Sequence, residues 1–80
     1  MKHFLDFVLA KLATEPGEVE VRETEQGDTT VYHIYLNPDD IGRVIGKHGR
    51  TIGAIRGLLN VAAARDQRKV SVEIQEPGAP

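Results

Sequence analysis

Apolar residues recur along this chain with two periods, and the switches between them lay out its elements. Leu5, Val8, Leu9 and Leu12 stand three and four apart, with Phe4 widening the stripe, which predicts an amphipathic first helix. Pro16 and Gly17 in "TEPGE" break it. In "EVEVRE", residues 18–23, Val19 and Val21 alternate with Glu18, Glu20 and Arg22, the pattern of a half-buried strand. "EQGDT" supplies a turn, and the β-branched, aromatic "TVYHIYL" a second strand, so the two should pair as an antiparallel hairpin.

The period then returns to that of a helix. In "NPDD", Asn37 can cap, Pro38 suits the first helical position, and Asp39 and Asp40 favour the positive end of a helix. A short helix through Ile41, Val44 and Ile45 should stop at Gly46. A longer one should open near Arg50, with Ile52, Ile55, Leu58, Leu59 and Ala62 as its stripe and "DQR" as its end. "KVSVEI" alternates again, turning Val70, Val72 and Ile74 inward. The order helix, strand, strand, helix, helix, strand is α+β, with helices on one face of a three-stranded sheet. Eighty residues hold one small domain, expected over residues 1–76, with a flexible tail at 77–80.

Composition narrows the function. With no cysteine, disulfides and thiolate metal sites are excluded, and a reducing cytoplasm fits. The start "MKHFLDFVLAKLA" has the basic and apolar character of a signal peptide, but Asp6 and Lys11 interrupt it. It is too short to span a bilayer, so no membrane insertion is expected. Net charge is −2, unevenly placed. Residues 1–40 carry nine acidic and three basic side chains, whereas residues 41–70 carry seven basic ones (Arg43, Lys47, Arg50, Arg56, Arg65, Arg68, Lys69) and one acidic, Asp66. A chain divided in this way can present a basic face while remaining acidic overall.

Within the basic half, "VIGKHGRTI" places Gly46 and Gly49 around Lys47 and His48. Gly46 can take the left-handed conformation that ends a helix, and Gly49 lets the backbone approach a ligand. The next helix starts at once, and its free N–H groups suit an anion. Lys47 adds a charge, with Arg43 and Arg50 flanking. A plain helix link explains one glycine more easily than two. "GRVIGKH" also falls short of a nucleotide-binding P-loop: it lacks one residue between the glycines, His48 replaces the metal-binding hydroxyl, and no strand directly precedes it.

"IGRVIGKHGRTI" resembles the signature of KH domains, V/I-G-x-x-I-G-x-x-G-x-x-I, with Ile41, Gly42, Ile45, Gly46, Gly49 and Ile52 at its positions. A helix and strand before a β-α-α-β core is similar to the type II arrangement, which implies a mixed sheet. Over about residues 1–75 the chain resembles the KhpA family of small stand-alone bacterial KH proteins. The resemblance implies a non-enzymatic single-stranded RNA-binding protein, an RNA chaperone or post-transcriptional regulator. A KH groove holds about four nucleotides beside the GXXG loop. By position, Gly46, Lys47, His48 and Gly49 should contact the RNA backbone, and Gly42 should admit bases. Ile41, Val44, Ile45 and Ile52 are candidates for an aliphatic floor or for core, Arg43 and Arg50 should line the groove, and Gly53 lies close by. The alternative is a protein-interaction subunit of a heteromeric KH complex. Phe4 and Phe7 are expected in the core, and Tyr32 and Tyr35, on opposite strand faces, make no stacking platform.

Opposite the Ile/Leu stripe of the long helix lie Gly53, Gly57, Asn60 and Ala64, with Val61 beside them. Two glycines inside a helix cost about 1 kcal/mol each relative to Ala, so this smooth stripe suits close approach of a second helix. A homodimer through Gly57, Asn60, Val61 and Ala64 is expected, and the family resemblance adds pairing with a larger Jag-type (KhpB) KH protein. No cofactor or catalytic set is expected: His3, His33 and His48 have no metal-ligand spacing, and capping accounts for Asp39 and Asp40.

Overall fold

The computed structural model describes residues 2–75. The chain forms helix α1 (Lys2–Leu12), a short 3-10 turn (Pro16–Glu18), strands β1 (Glu20–Gln26) and β2 (Thr29–Tyr35), and helix α2 (Pro38–Ile45). A second 3-10 turn (Lys47–Gly49), helix α3 (Arg50–Ala64) and strand β3 (Lys69–Gln75) follow. The tail expected at 77–80 lies outside the described residues.

The sheet is mixed. β2 lies in the centre, antiparallel to β1 and parallel to β3. β1 is Glu20–Gln26 rather than 18–23. Glu18 is held back by the 3-10 turn, its N–H donating to the Glu15 carbonyl at 3.0 Å. At the other end the hairpin turn is only Gly27-Asp28, with Gly27 at φ 63°, so Glu25 and Gln26 stay in the ladder opposite Thr30 and Thr29.

One face of the sheet packs on the helices. Tyr32, Ile34 and Leu36 meet Val21 and Val72, closed over by Leu5 and Leu9 of α1, Val44 of α2, and Ile52, Ile55 and Leu59 of α3. Burying one such Leu or Ile contributes roughly 1.5–3 kcal/mol. Burial, helped by the Glu23 carboxylate on β1, pushes the Tyr32 phenol above its ordinary range.

Three apolar side chains depart from the expected stripes. Phe4 is 40% exposed and Phe7 63%, so neither is core. The buried line of α1 runs through Leu5 and Leu9; at about 100° per residue Phe7 falls on the far side and Phe4 at the margin. On α3 the buried line is Ile52, Ile55, Leu59 and Ala63, which leaves Leu58 57% exposed and Ala62 at the edge.

Asp40 does more than favour a helix start. Its buried carboxylate accepts the Thr14 hydroxyl at 2.7 Å, the Thr14 N–H at 3.0 Å and the Glu15 N–H at 3.1 Å, tying the end of α1 to the first turn of α2. These bonds, the Thr14 hydroxyl foremost, hold the carboxyl below the usual carboxylate range. A depressed native pKa stabilises the fold above the unfolded-state value of about 3.9, and that contribution is lost as pH falls through the native value. Asp40→Asn is therefore expected to lower the melting temperature at pH 7 and to narrow its gap from the parent below pH 4. A variant melting like the parent at both pH values would contradict the assignment.

Candidate nucleic-acid interface

The two glycines of the loop are required for different reasons. α2 starts at Asn37, whose side-chain oxygen accepts the Asp39 N–H at 2.9 Å, and ends at Gly46, whose N–H donates to the Gly42 carbonyl at 2.9 Å. Gly46 has φ 75° and ψ 173°. This is not the left-handed helical cap expected from the sequence but a region open essentially to glycine alone. A Cβ there would also lie 2.3 Å from Thr51 Oγ1 and 2.8 Å from Thr51 Cβ. The chain turns this sharply because α3 begins directly beneath it. Gly49 is left-handed, at φ 72° and ψ 15°, but a Cβ there would meet nothing within 4 Å. Its needs are conformational, and the space above it is open.

Between them, Lys47 and His48 ride on a single 3-10 turn closed by the Gly49 N–H on the Gly46 carbonyl at 3.1 Å. His48 sits at φ 56° and ψ 26°, a left-handed conformation costing a non-glycine residue about 1–2 kcal/mol. Gly49, at the N-cap of α3, brings no side-chain oxygen to the first-turn N–H groups. The loop is thus exposed, cationic and backed by a helix N-terminus.

The fold sorts the seven basic residues. Arg68 is drawn into the hairpin end, bonded to Glu25, the Thr30 hydroxyl and the Gly27 carbonyl, and Lys69 stands 3.9 Å from Asp28. Arg43 Nε lies 3.9 Å from Asp40, and Arg56 donates to the Val72 carbonyl at 3.3 Å. Among the described residues Lys47 and Arg50 form no ion pair, and both are exposed. Arg56 and the exposed Arg65 form no ion pair there either, so the loop carries two of the four unpaired cations of this half of the chain, Lys47 and Arg50.

The other predicted positions separate by exposure. Gly42 and Gly53 are exposed, with nothing within 4 Å of a Cβ at either. Ile41 is half-buried against the core, and Ile45 is 37% exposed. Val44 is fully buried and Ile52 6% exposed, so both hold the helices in place and offer little surface. Gly57, Asn60, Val61 and Ala64 are all exposed on α3, away from the loop. Three residues escaped the sequence reading. Asp40 resembled a capping residue, Thr51 an ordinary helix position, and Arg56 one basic residue among seven; each is defined by a partner distant in the chain or by the sharp bend at Gly46.

Comparison with known proteins agrees with this geometry. The family model described as KhpA/KhpB, KH domain, matches residues 2–74. The chain is 46% identical over 76 residues to the "RNA-binding protein KhpA" of Chlamydia trachomatis, covering 95% of this chain and 97% of that one. It is 34% identical over 74 residues to the protein of the same name from Oceanobacillus iheyensis, and 35% to that of Clostridium perfringens, each covering 92% of this chain and 99% of the relative.

Proposed function

Because the chain belongs to the KhpA/KhpB family of KH domains, we propose that it is a non-enzymatic single-stranded RNA-binding protein. It holds the phosphate backbone at Gly46-Lys47-His48-Gly49 and works as an RNA chaperone or post-transcriptional regulator in the cytoplasm. The observation that carries this reading is the loop: a bend open essentially only to glycine, with Lys47 in no ion pair among the described residues and beside a start of α3 that has no side-chain cap. Relatives named RNA-binding proteins support it. The remaining roles follow position. Ile41, Gly42 and Gly53 border the space where bases lie, Val44 sets α2 beneath them, and Arg43 and Arg50 attract the strand. The test is binding of short single-stranded RNA by fluorescence anisotropy at low and moderate salt, with the loop variants considered in the Discussion.

A second reading has its own observation. Leu58 and Val61 are 57% and 63% exposed on α3, and Phe4 joins Leu58 around a shallow apolar pocket. This supports a homodimer or a heterodimer with a larger Jag-type KH protein through Gly57, Asn60, Val61 and Ala64. In the extreme form of this reading the chain is chiefly a protein-interaction subunit. Val61→Glu and Gly57→Glu should each halve the mass measured by sedimentation equilibrium; a parent already monomeric at high concentration would remove the homodimer. No helix among the described residues is long and apolar enough to cross a membrane.

A further inference from the structure

Arg56 is the one basic residue of α3 whose side chain is held by the backbone of a strand. Its Nη2 donates to the Val72 carbonyl at 3.3 Å. Among the described residues β3 has no strand beyond it. On its inner side Gln75 accepts the Leu36 N–H at 3.1 Å, and Lys69 donates to the Asp28 carbonyl at 2.9 Å. The odd-numbered residues of β3 therefore turn their backbone groups toward β2, and Val70, Val72 and Ile74 turn theirs to the open edge. Arg56 sits at that edge.

Its position on α3 matters equally. Arg56 is three residues beyond Gly53 and seven beyond Gly49, so it lies near both along one exposed side of the helix. Along the axis, Gly49 and Arg56 are about 10 Å apart. Gly53, between them, is open above its Cα. A strand whose phosphate rests on Gly49 thus has a clear path along α3, and a base turned toward β3 meets the guanidinium of Arg56.

Resting on the RNA-binding reading above, we propose that Arg56 reads a guanine at the edge of β3. The Val72 carbonyl takes one of its five N–H donors and fixes the plane of the fork; the other donors remain for a base. Guanine presents two acceptors, O6 and N7, on one edge, the match for a guanidinium fork. Adenine replaces O6 with an amino donor and loses that match. The loop supplies grip without sequence, and Arg56 supplies the preference.

The experiment uses the full chain and 8-nucleotide uridine RNAs carrying a single guanine, adenine or cytosine, with affinity read by anisotropy. The parent should favour the guanine RNA about 10-fold or more. Arg56→Gln should erase that preference while keeping the binding level of the adenine RNA. Arg56→Lys, which keeps the charge and the bond to Val72 but not the fork, should lose the preference as well, with circular dichroism showing both variants folded. Equal loss of affinity for all three RNAs, or a preference that survives Arg56→Lys, would overturn the proposal and leave RNA binding by the loop intact. A parent that binds none of the RNAs at low salt would overturn both.

Discussion

Lys47→Asp combined with His48→Asp is expected to weaken RNA binding by roughly 100-fold or more, with the fold preserved. Charge-assisted hydrogen bonds to phosphate are worth about 1.5–3 kcal/mol each, and the substitution both removes donors and adds repulsion. The structure explains why the fold should survive. Neither side chain forms an ion pair among the described residues, and both are exposed. Aspartate also tolerates the left-handed conformation that His48 adopts. Anisotropy titrations across a salt series carry a second readout, because each phosphate contact removed should lower the slope of log affinity against log salt by about one. A double variant that melts normally and binds as the parent does would end the reading of this loop as a phosphate clamp. It would favour the protein-interaction alternative.

Gly46→Ala should have the largest effect on stability of any single methyl group added to the loop. Two costs combine at this residue. The backbone at φ 75° and ψ 173° penalises any Cβ by about 1–3 kcal/mol. The new methyl would also stand 2.8 Å from Thr51 Cβ and 3.0 Å from the Thr51 backbone nitrogen, which cannot swing aside as a side chain can. A destabilisation of at least about 2 kcal/mol follows, or a fall of roughly 8–16 °C in melting temperature for a domain of this size. RNA binding should go with it, because the bend sets the loop over α3. Gly49→Ala is the matched control. It pays only the conformational cost, about 1 kcal/mol, since a Cβ there meets nothing. Its melting temperature should drop by roughly 4–8 °C. Thermal denaturation of the pair decides the matter: equal shifts would mean that contact with Thr51 contributes nothing and that the two glycines serve one purpose.

Much of this molecule is legible along the chain. The six elements follow from the two apolar periods, the start of α2 from capping by Asn37, and its stop from the glycine at 46. Such features depend on residues within a turn or two of each other. The departures share another origin. Phe4 and Leu58 lie in or beside their stripes and Phe7 is a large aromatic, so apolar character alone placed them inside; which margin of a helix is covered depends on how its neighbour is angled. Asp40 read as a capping residue because its partners, Thr14 and Glu15, come from the loop after α1, 26 and 25 residues earlier.

The charges show the same division most sharply. The sequence places seven basic residues between 41 and 70 and thereby determines that this half of the chain can meet an anion. It also determines where the flexible, cationic turn must fall, since glycine's freedom of conformation is a property of the residue itself. Only the tertiary structure decides which charges remain available. The parallel pairing of β2 with β3 brings Arg68 and Lys69 back to the acidic hairpin end, where Glu25 and Asp28 pair with them. It also leaves the edge of β3 beside α3, within reach of Arg56. Opposite charges far apart in sequence cancel only when the fold puts them a few ångströms apart, because their attraction weakens steeply with distance in water and salt.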